Sequence, residues 1–117
     1  MQRNLRLRQT DDFARLRASG RVWRHPFLML SVTSNDLPHN RYGFVTSKQL
    51  GGAVVRNRVR RVLREAVRQL HPRLRPGHDM ALIARPPIVG QPSAEVWHAV
   101  ETLTQRAGLL EAPGEQG

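Results

Sequence analysis

One basic segment constrains the fold of this chain more than any other part of its sequence. Residues 51–70, GGAVVRNRVRRVLREAVRQL, contain six arginines and a single acid, Glu65. At about 100° per residue, the apolar residues of this segment cover an arc of roughly 140° on one side of a helix. They are Val55, Val59, Val62, Leu63, Ala66, Val67 and Leu70. The remaining side carries Arg56, Arg58, Arg60, Arg61, Arg64 and Arg68. The pattern predicts an amphipathic helix with a basic outer side.

The positive charge extends over the whole chain. Its 117 residues include 19 Lys+Arg against 9 Asp+Glu, a formal net charge of +10. Such self-repulsion is best relieved by a polyanion, and nucleic acid is the first partner to consider. Lys48 is the only lysine, so the cations are arginines, whose forked groups suit phosphate and stack on bases. The length predicts one RNA-binding domain over residues 1–117, with a frayed tail at 111–117.

Several other function classes find no support. The chain has no cysteine, so a disulfide framework, a thiol nucleophile and a Cys-ligated zinc are excluded. Its five histidines show no metal-ligand spacing, and its acids are scattered, which predicts neither a metal site nor catalytic residues on the protein. There is no run of about 18 apolar residues and no signal-peptide pattern, so no membrane association and a cytoplasmic location are predicted.

The segments around the basic helix predict an α+β fold. We expect a two-layer domain with helices on one side of a small sheet. The second and third strands are expected to pair as a hairpin, and Ser93 is expected to cap the last helix. The predicted elements are a helix at 10–19, a weak strand at 21–24, strands at 27–33, 42–47 and 79–84, and helices at 51–70 and 93–107.

Some residues near the basic helix are open to two interpretations. The glycines of SKQLGGAVVRN suit the close approach of a phosphate to a helix N-terminus, and equally a tight turn into the helix. The P-loop pattern GxxxxGK[ST] is absent, so nucleotide hydrolysis is not predicted. Asn57 suits the reading of a base edge or ribose hydroxyl, and equally the orientation of a neighbouring arginine.

A groove for single-stranded nucleic acid is a further hypothesis. Phe13 on the first predicted helix suits core packing with Leu16, but also a position over an apolar sheet face. The strand at 27–33 is apolar on both faces, so one face could back the helices while the other lines a shallow cleft. Bases could stack in a cleft bordered by arginine.

The residues around the basic helix also match a known signature. The chain resembles the bacterial ribonuclease P protein component, and the likeness extends from RLRQTDDF through RYGFVTSK and DMALIARPP to the final helix. This resemblance implies a small α+β sandwich with a mixed sheet and a rare left-handed strand-helix-strand crossover around the basic helix. The matching residues are Ser47, Lys48, Gly51, Ala53, Val54, Arg56, Asn57, Arg58, Arg60, Arg61 and Arg64.

The resemblance implies a function as well. The protein would bind a large catalytic RNA and the 5′ leader of precursor tRNA, and would help that RNA remove the leader with Mg²⁺. Arg17 stands where the family often has a second aromatic, and Leu30 also replaces a frequent aromatic, so Arg17 would offer a guanidinium plane instead. Contacts to the catalytic RNA would fall on Lys48, Arg56, Asn57, Arg58, Arg60, Arg61, Arg64 and Arg68. The leader cleft would be formed by Phe13, Arg17, Leu28 and Leu30.

Two alternatives belong to other classes. A ribosomal or general RNA-binding structural protein would share the charge and the fold class, but would not stimulate cleavage of precursor tRNA. A DNA-binding regulator would need a recognition helix directly after another helix, whereas strands precede residues 51–70 here. We therefore expect no DNA partner.

Overall fold

The structure is a computed structural model that describes Leu16 and residues 20–111 of the chain. It contains four strands and two long helices within residues 20–111. The strands are β1 (Arg21–Arg24), β2 (Leu28–Ser34), β3 (Arg41–Val45) and β4 (His78–Ala84), and the helices are α1 (Ala53–Leu70) and α2 (Ser93–Arg106). The predicted α+β class is confirmed. The single domain over 1–117 stays a prediction, because residues 1–15, 17–19 and 112–117 lie outside the described part.

The four strands form one mixed sheet in the order β1-β2-β4-β3. β2 pairs with β1 and β4 in antiparallel fashion, whereas β3 runs parallel to β4. The predicted hairpin between the second and third strands is therefore wrong, because β4 lies between them. β4 is thus an inner strand of the sheet, and its apolar run is buried on both faces.

The connection from β3 to β4 passes through α1. Two parallel neighbours joined through a helix form the strand-helix-strand crossover that the resemblance implies. The left hand of this crossover stays a prediction.

The register of the sheet defines two faces. Leu30 pairs with Leu82 and Val32 with Met80, and these residues belong to the main core with both helices. The alternate residues point to the opposite face, where Ala81 and Ile83 form a second apolar cluster. α1 and α2 thus lie on one side of the sheet, but the expectation that all helices do so is wrong, because Leu16 packs on the opposite face. Leu16, the one described residue of the first predicted helix, has helical geometry and belongs to the second cluster.

The predicted inner side of α1 is confirmed except for Val55, which is half-buried and outside the core cluster. Its buried residues are Val59, Leu63, Ala66, Val67 and Leu70, and Val62 packs partly buried against the same core. Burying each valine or leucine of this set stabilises the fold by about 1.5–3 kcal/mol, which holds the basic helix against the sheet.

The start of α2 differs from the prediction in one detail. Pro92 occupies the N-cap position, and Ser93 is the first helical residue without a side-chain cap. Proline fixes its backbone near the extended entry that the helix needs, so the hydroxyl of Ser93 is not required there.

A buried polar cluster joins the β2–β3 loop to the start of β4. Asp79 is fully buried, and Arg41 donates to both of its carboxylate oxygens over 2.8 and 2.7 Å. Asn35 donates to the same carboxylate over 2.9 Å and to the carbonyl of His39. Because each buried charge has partners, this ion pair holds the two chain segments in one arrangement.

Candidate nucleic-acid interface

The outer side of α1 displays several arginines that no carboxylate of the described residues contacts. Glu65 is the only acid on the helix, and it pairs with Arg68. Within the described part of the chain, Arg56, Arg58 and Arg61 contact no carboxylate. This helix side is therefore a strongly cationic surface from its first turn onward. We call it the arginine face and define it as Arg56, Asn57, Arg58, Arg60, Arg61 and Arg64.

Arg60 is held in place without losing its charge. Its guanidinium donates to the carboxamide oxygen of Asn57 over 2.9 Å and to the hydroxyl of Thr46 over 2.5 Å. Both partners are neutral, so they orient the cation and leave it able to bind phosphate. Of the two interpretations of Asn57, the structure thus shows the orientation of an arginine, although the side chain is also exposed.

Arg64 is positioned by an aromatic ring of the sheet. Its guanidinium carbon lies 5.9 Å from the ring centroid of Phe44 on β3, a cation–π arrangement. Sequence reasoning missed both Phe44 and Thr46 as supports of the arginine face. Their alternation along YGFVTS indicated a strand, but only the packing of α1 next to β3 brings them to the arginines.

Arg68 does not share the character of the other arginines. It donates to both carboxylate oxygens of Glu65, over 2.9 and 2.5 Å, one turn away on the same helix. This hydrogen bonding, together with that from Gln69, lowers the pKa of Glu65 to about 2, and it raises the pKa of Arg68. Arg68 is thus the one arginine of α1 that a carboxylate of the same helix partly neutralises, and its predicted contact with RNA stays a prediction.

A shallow depression lies along the arginine face. It has a volume of about 450 Å³ and is lined by Val54, Asn57, Arg60, Arg61 and Arg64. Val54 is 83% exposed, an unusual position for a large apolar side chain. A wide, open and cationic depression is suited to a nucleic-acid backbone rather than to an enclosed small molecule.

The segment that precedes α1 makes a tight turn. Lys48 is exposed on a short 3₁₀ turn, and the amide of Gly51 donates to the carbonyl of Lys48. Gly51 has a φ of 133°, a conformation that side chains rarely adopt, and a Cβ there would meet the Val55 side chain at 3.3 Å. This geometry supports the tight-turn interpretation of the glycines and places Lys48 next to the start of α1.

The prediction that Leu28 and Leu30 of β2 line the leader cleft is wrong. Leu28 and Leu30 are 0% and 1% exposed and belong to the core between sheet and helices, so they cannot line an open cleft. The opposite face carries Met29 and the partly exposed Val22 and Val45. The alternation of side chains had indicated which residues share a face but not which face the helices cover. Phe13 and Arg17 lie outside the described residues.

The described residues offer no candidate metal centre. No three side chains of His, Asp or Glu among them come close enough to share an ion. The buried carboxylate of Asp79 is occupied by Arg41 and Asn35. Neither of the two described helices is long and apolar enough to cross a membrane.

Comparison with known proteins shows the family to which the chain belongs. The family model described as Ribonuclease P matches residues 1–108. The chain belongs to the ribonuclease P protein family. It is 46% identical over 112 residues to the ribonuclease P protein component of Roseiflexus castenholzii, a match that covers 95% of this chain and 92% of the relative. The Chloroflexus aurantiacus protein component is 43% identical over 114 residues, covering 97% and 84%.

Solved structures of the family have the same fold. The RNase P protein of Staphylococcus aureus matches with a TM-score of 0.84 and 25% identity, over 92% of this chain and 98% of that one. The Thermotoga maritima RNase P protein matches in fold with a TM-score of 0.78 and 23% identity, over 86% and 96%.

Membership in the ribonuclease P family gives the chain its role. It is a protein subunit of the ribonucleoprotein enzyme that processes the 5′ end of tRNA, and an RNA subunit is its partner. The predicted recognition, RNA binding and enzyme class are confirmed. The individual RNA contacts at Lys48 and the arginine face stay predictions, as do the leader contacts of Phe13 and Arg17.

Proposed function

We propose that the arginine face docks on the RNA subunit of ribonuclease P, with Lys48 at its edge. The observation that carries this proposal is that neutral partners orient Arg60 while Arg56, Arg58 and Arg61 contact no carboxylate of the described chain. Arginines positioned in advance lose little side-chain entropy on binding, so their contacts with phosphate retain more of their free energy.

The 5′ leader of precursor tRNA is proposed to cross the sheet face opposite α1 and α2. Met29, Val22 and Val45 provide apolar surface there, and Phe13 and Arg17 stay proposed neighbours of the leader. An extended single strand can lay its bases on such a surface without sequence-specific hydrogen bonds. The two RNA sites then lie on different sides of the protein, so both RNAs can be bound at once.

Cleavage itself is assigned to the RNA subunit with Mg²⁺. Phosphate oxygens are preferred ligands of Mg²⁺, and the RNA supplies them in quantity. The protein residues act by binding and orienting: cations of the arginine face neutralise phosphates that would otherwise require more Mg²⁺. A cytoplasmic location is part of this proposal, because bacterial precursor tRNA is made there.

Reconstitution with a bacterial ribonuclease P RNA and precursor tRNA tests the proposal at low Mg²⁺. The wild-type chain should accelerate 5′ cleavage, and Arg58→Gln should weaken RNA binding and reduce the slope of log affinity against log salt by roughly one. Arg85→Gln is the matched control, since it removes the same charge from an exposed residue that follows β4.

Two results would contradict parts of this proposal. If the wild-type chain failed to accelerate cleavage across a range of salt, a general RNA-binding structural role would be favoured instead. If Arg58→Gln and Arg85→Gln changed the salt slope equally, the arginine face would not be the docking surface.

A further inference from the structure

A second cationic site lies at the β1 edge of the sheet. A pocket of about 250 Å³ opens there between β1, the end of β2 and the segment that follows α2. None of the described residues that line it is acidic. Because β1 and β3 are the two outer strands of the sheet, this pocket lies at the edge opposite the one against which α1 packs.

The pocket contains a stacked cation and aromatic ring. The guanidinium carbon of Arg21 lies 5.6 Å from the ring centroid of Trp23, and both residues line the pocket. Trp23 packs partly buried against the main core, which fixes its ring, whereas Arg21 is exposed. No carboxylate among the described residues contacts Arg21. A guanidinium held over indole offers a flat, charged surface on which another planar group can stack.

Hydrogen-bonding groups surround this stacked pair. Ser34 and His78 are register partners on β2 and β4, and Thr33 lies beside them in the pocket wall. Their hydroxyl and imidazole groups can bond sugar hydroxyls and phosphate oxygens. The pocket therefore combines a stacking surface, an uncompensated cation and polar side chains at one place.

We propose that this pocket binds one unpaired nucleotide of an RNA strand, with the base against Arg21 and Trp23. The described lining favours RNA as the occupant because it combines positive charge, with no acid among these residues, and a flat stacking surface. An RNA strand offers both a phosphate for the charge and a base for the stacking surface. This site extends the proposed function, since it adds a contact on the sheet edge remote from the arginine face. It also gives Trp23 a role that its partial burial in the core does not require.

Tryptophan fluorescence tests the site directly, because the chain contains only two tryptophans. In the Trp97→Phe protein, Trp23 is the sole emitter, and a stacked base should quench it saturably. Two titrations, one with a bacterial ribonuclease P RNA and one with precursor tRNA, identify which RNA supplies the nucleotide. Arg21→Gln in the same background should lower the affinity for the RNA that quenches Trp23 about fivefold or more. The reason is that base stacking on the guanidinium and one phosphate contact are lost. The Trp23→Phe protein, in which Trp97 is the sole emitter, is the control for quenching elsewhere.

The outcomes separate this site from the arginine face. Quenching of Trp23 by either RNA, weakened by Arg21→Gln, supports the proposed nucleotide site and identifies the RNA that supplies the nucleotide. Absence of quenching by both RNAs, while Arg58→Gln still weakens binding, overturns the pocket and leaves the proposed function intact. Quenching that Arg21→Gln does not alter also overturns it, since the stacked pair would then make no contact with the base.

Discussion

Arg58 and Arg60 carry the same charge on the same helix but are held differently. Arg58 extends from the surface without a partner among the described residues, whereas Arg60 is fixed by Asn57 and Thr46. Removing Arg58 removes a charge; removing a support of Arg60 changes only its orientation. The two kinds of variant therefore separate electrostatic attraction from positioning.

Thr46→Val should weaken RNA binding without changing its salt dependence. The substitution keeps the side-chain volume and deletes the hydroxyl that accepts from Arg60 over 2.5 Å. Without this bond Arg60 has to be ordered on binding, which costs about 1 kcal/mol and corresponds to roughly fivefold in affinity. Filter binding to ribonuclease P RNA at several salt concentrations measures both quantities. A salt slope lowered by a full unit would show that Arg60 had left the phosphate altogether.

His71 should make the stability of the protein fall in mild acid. Its ring nitrogen Nδ1 lies 2.7 Å from the hydroxyl of the buried Tyr42, and burial, with a smaller effect of His39, lowers the pKa of His71 below its ordinary 6.5. The unfolded chain then binds more protons than the folded one as pH falls. The contribution of His71 is therefore complete above about pH 6.5 and is lost as pH falls through the lower folded-state pKa.

Urea unfolding at pH 7.5 and pH 5.5 measures this effect. The wild-type free energy of unfolding should decrease between the two values, and His71→Gln should decrease less. Burial and Arg106 also lower the pKa of His25, so His25→Gln should remove a separate share and the double variant should have the flattest profile. Equal losses in wild type and His71→Gln would rule out this histidine as a source.

At the scale of elements, the entry to α1 depends on one glycine of the pair at 51–52. Gly51→Ala should destabilise the protein by roughly 1–3 kcal/mol, because alanine is strained at a φ of 133° and its Cβ would press on Val55. Gly52 has a φ of −73° and open space around its Cβ position, so Gly52→Ala should stay within about 0.5 kcal/mol. Urea midpoints of the two variants give the comparison. Equal midpoints would mean that the turn relaxes at no cost.

The two faces of the sheet should respond differently to substitution. Leu30→Ala empties a fully buried position and should cost about 2–5 kcal/mol of stability. Val45 is 36% exposed on the other face, so Val45→Ala should cost much less stability but reduce the preference for precursor over mature tRNA about two- to fivefold. Binding of both tRNAs to the reconstituted complex measures this preference. An unchanged preference in Val45→Ala would show that the leader does not cross this face.

Elements with a local pattern could be predicted from the sequence, and pairings between distant segments could not. The period of α1 identified its buried residues, and the three main strands were located to within one or two residues. The hairpin between β2 and β3 was wrong because β4, more than thirty residues later, inserts between them. Leu28 and Leu30 were assigned to the wrong face because the alternation of side chains does not show which face α1 and α2 cover. Thr46 and Phe44 likewise support the arginine face only through packing.

At the scale of the whole molecule, positive charge is concentrated where the fold can tolerate it. Among the described residues, arginines are dense on the outer side of α1, whose inner side packs against the core, and at the β1 edge, where Arg21 and Arg24 are exposed. The apolar contacts of α1 keep neighbouring arginines together despite their repulsion. Binding of RNA relieves a repulsion that the free protein has to sustain.

Salt should therefore stabilise the free protein while it weakens RNA binding. Arg56, Arg60 and Arg64 stand four residues apart on α1, and each like-charged pair at this spacing destabilises a helix by about 0.2–0.5 kcal/mol. Raising salt from 0.05 to 0.5 M should screen these pairs, since the Debye length falls below roughly 10 Å above 0.1 M. The urea midpoint should rise accordingly, and less so in Arg60→Gln, which removes both of these like-charged pairs. RNA affinity should fall over the same range because the release of counterions from RNA is less favourable at higher salt. A stability that declined with salt would mean that attractive ion pairs, such as Arg41 with Asp79, outweigh the repulsion within the arginine face.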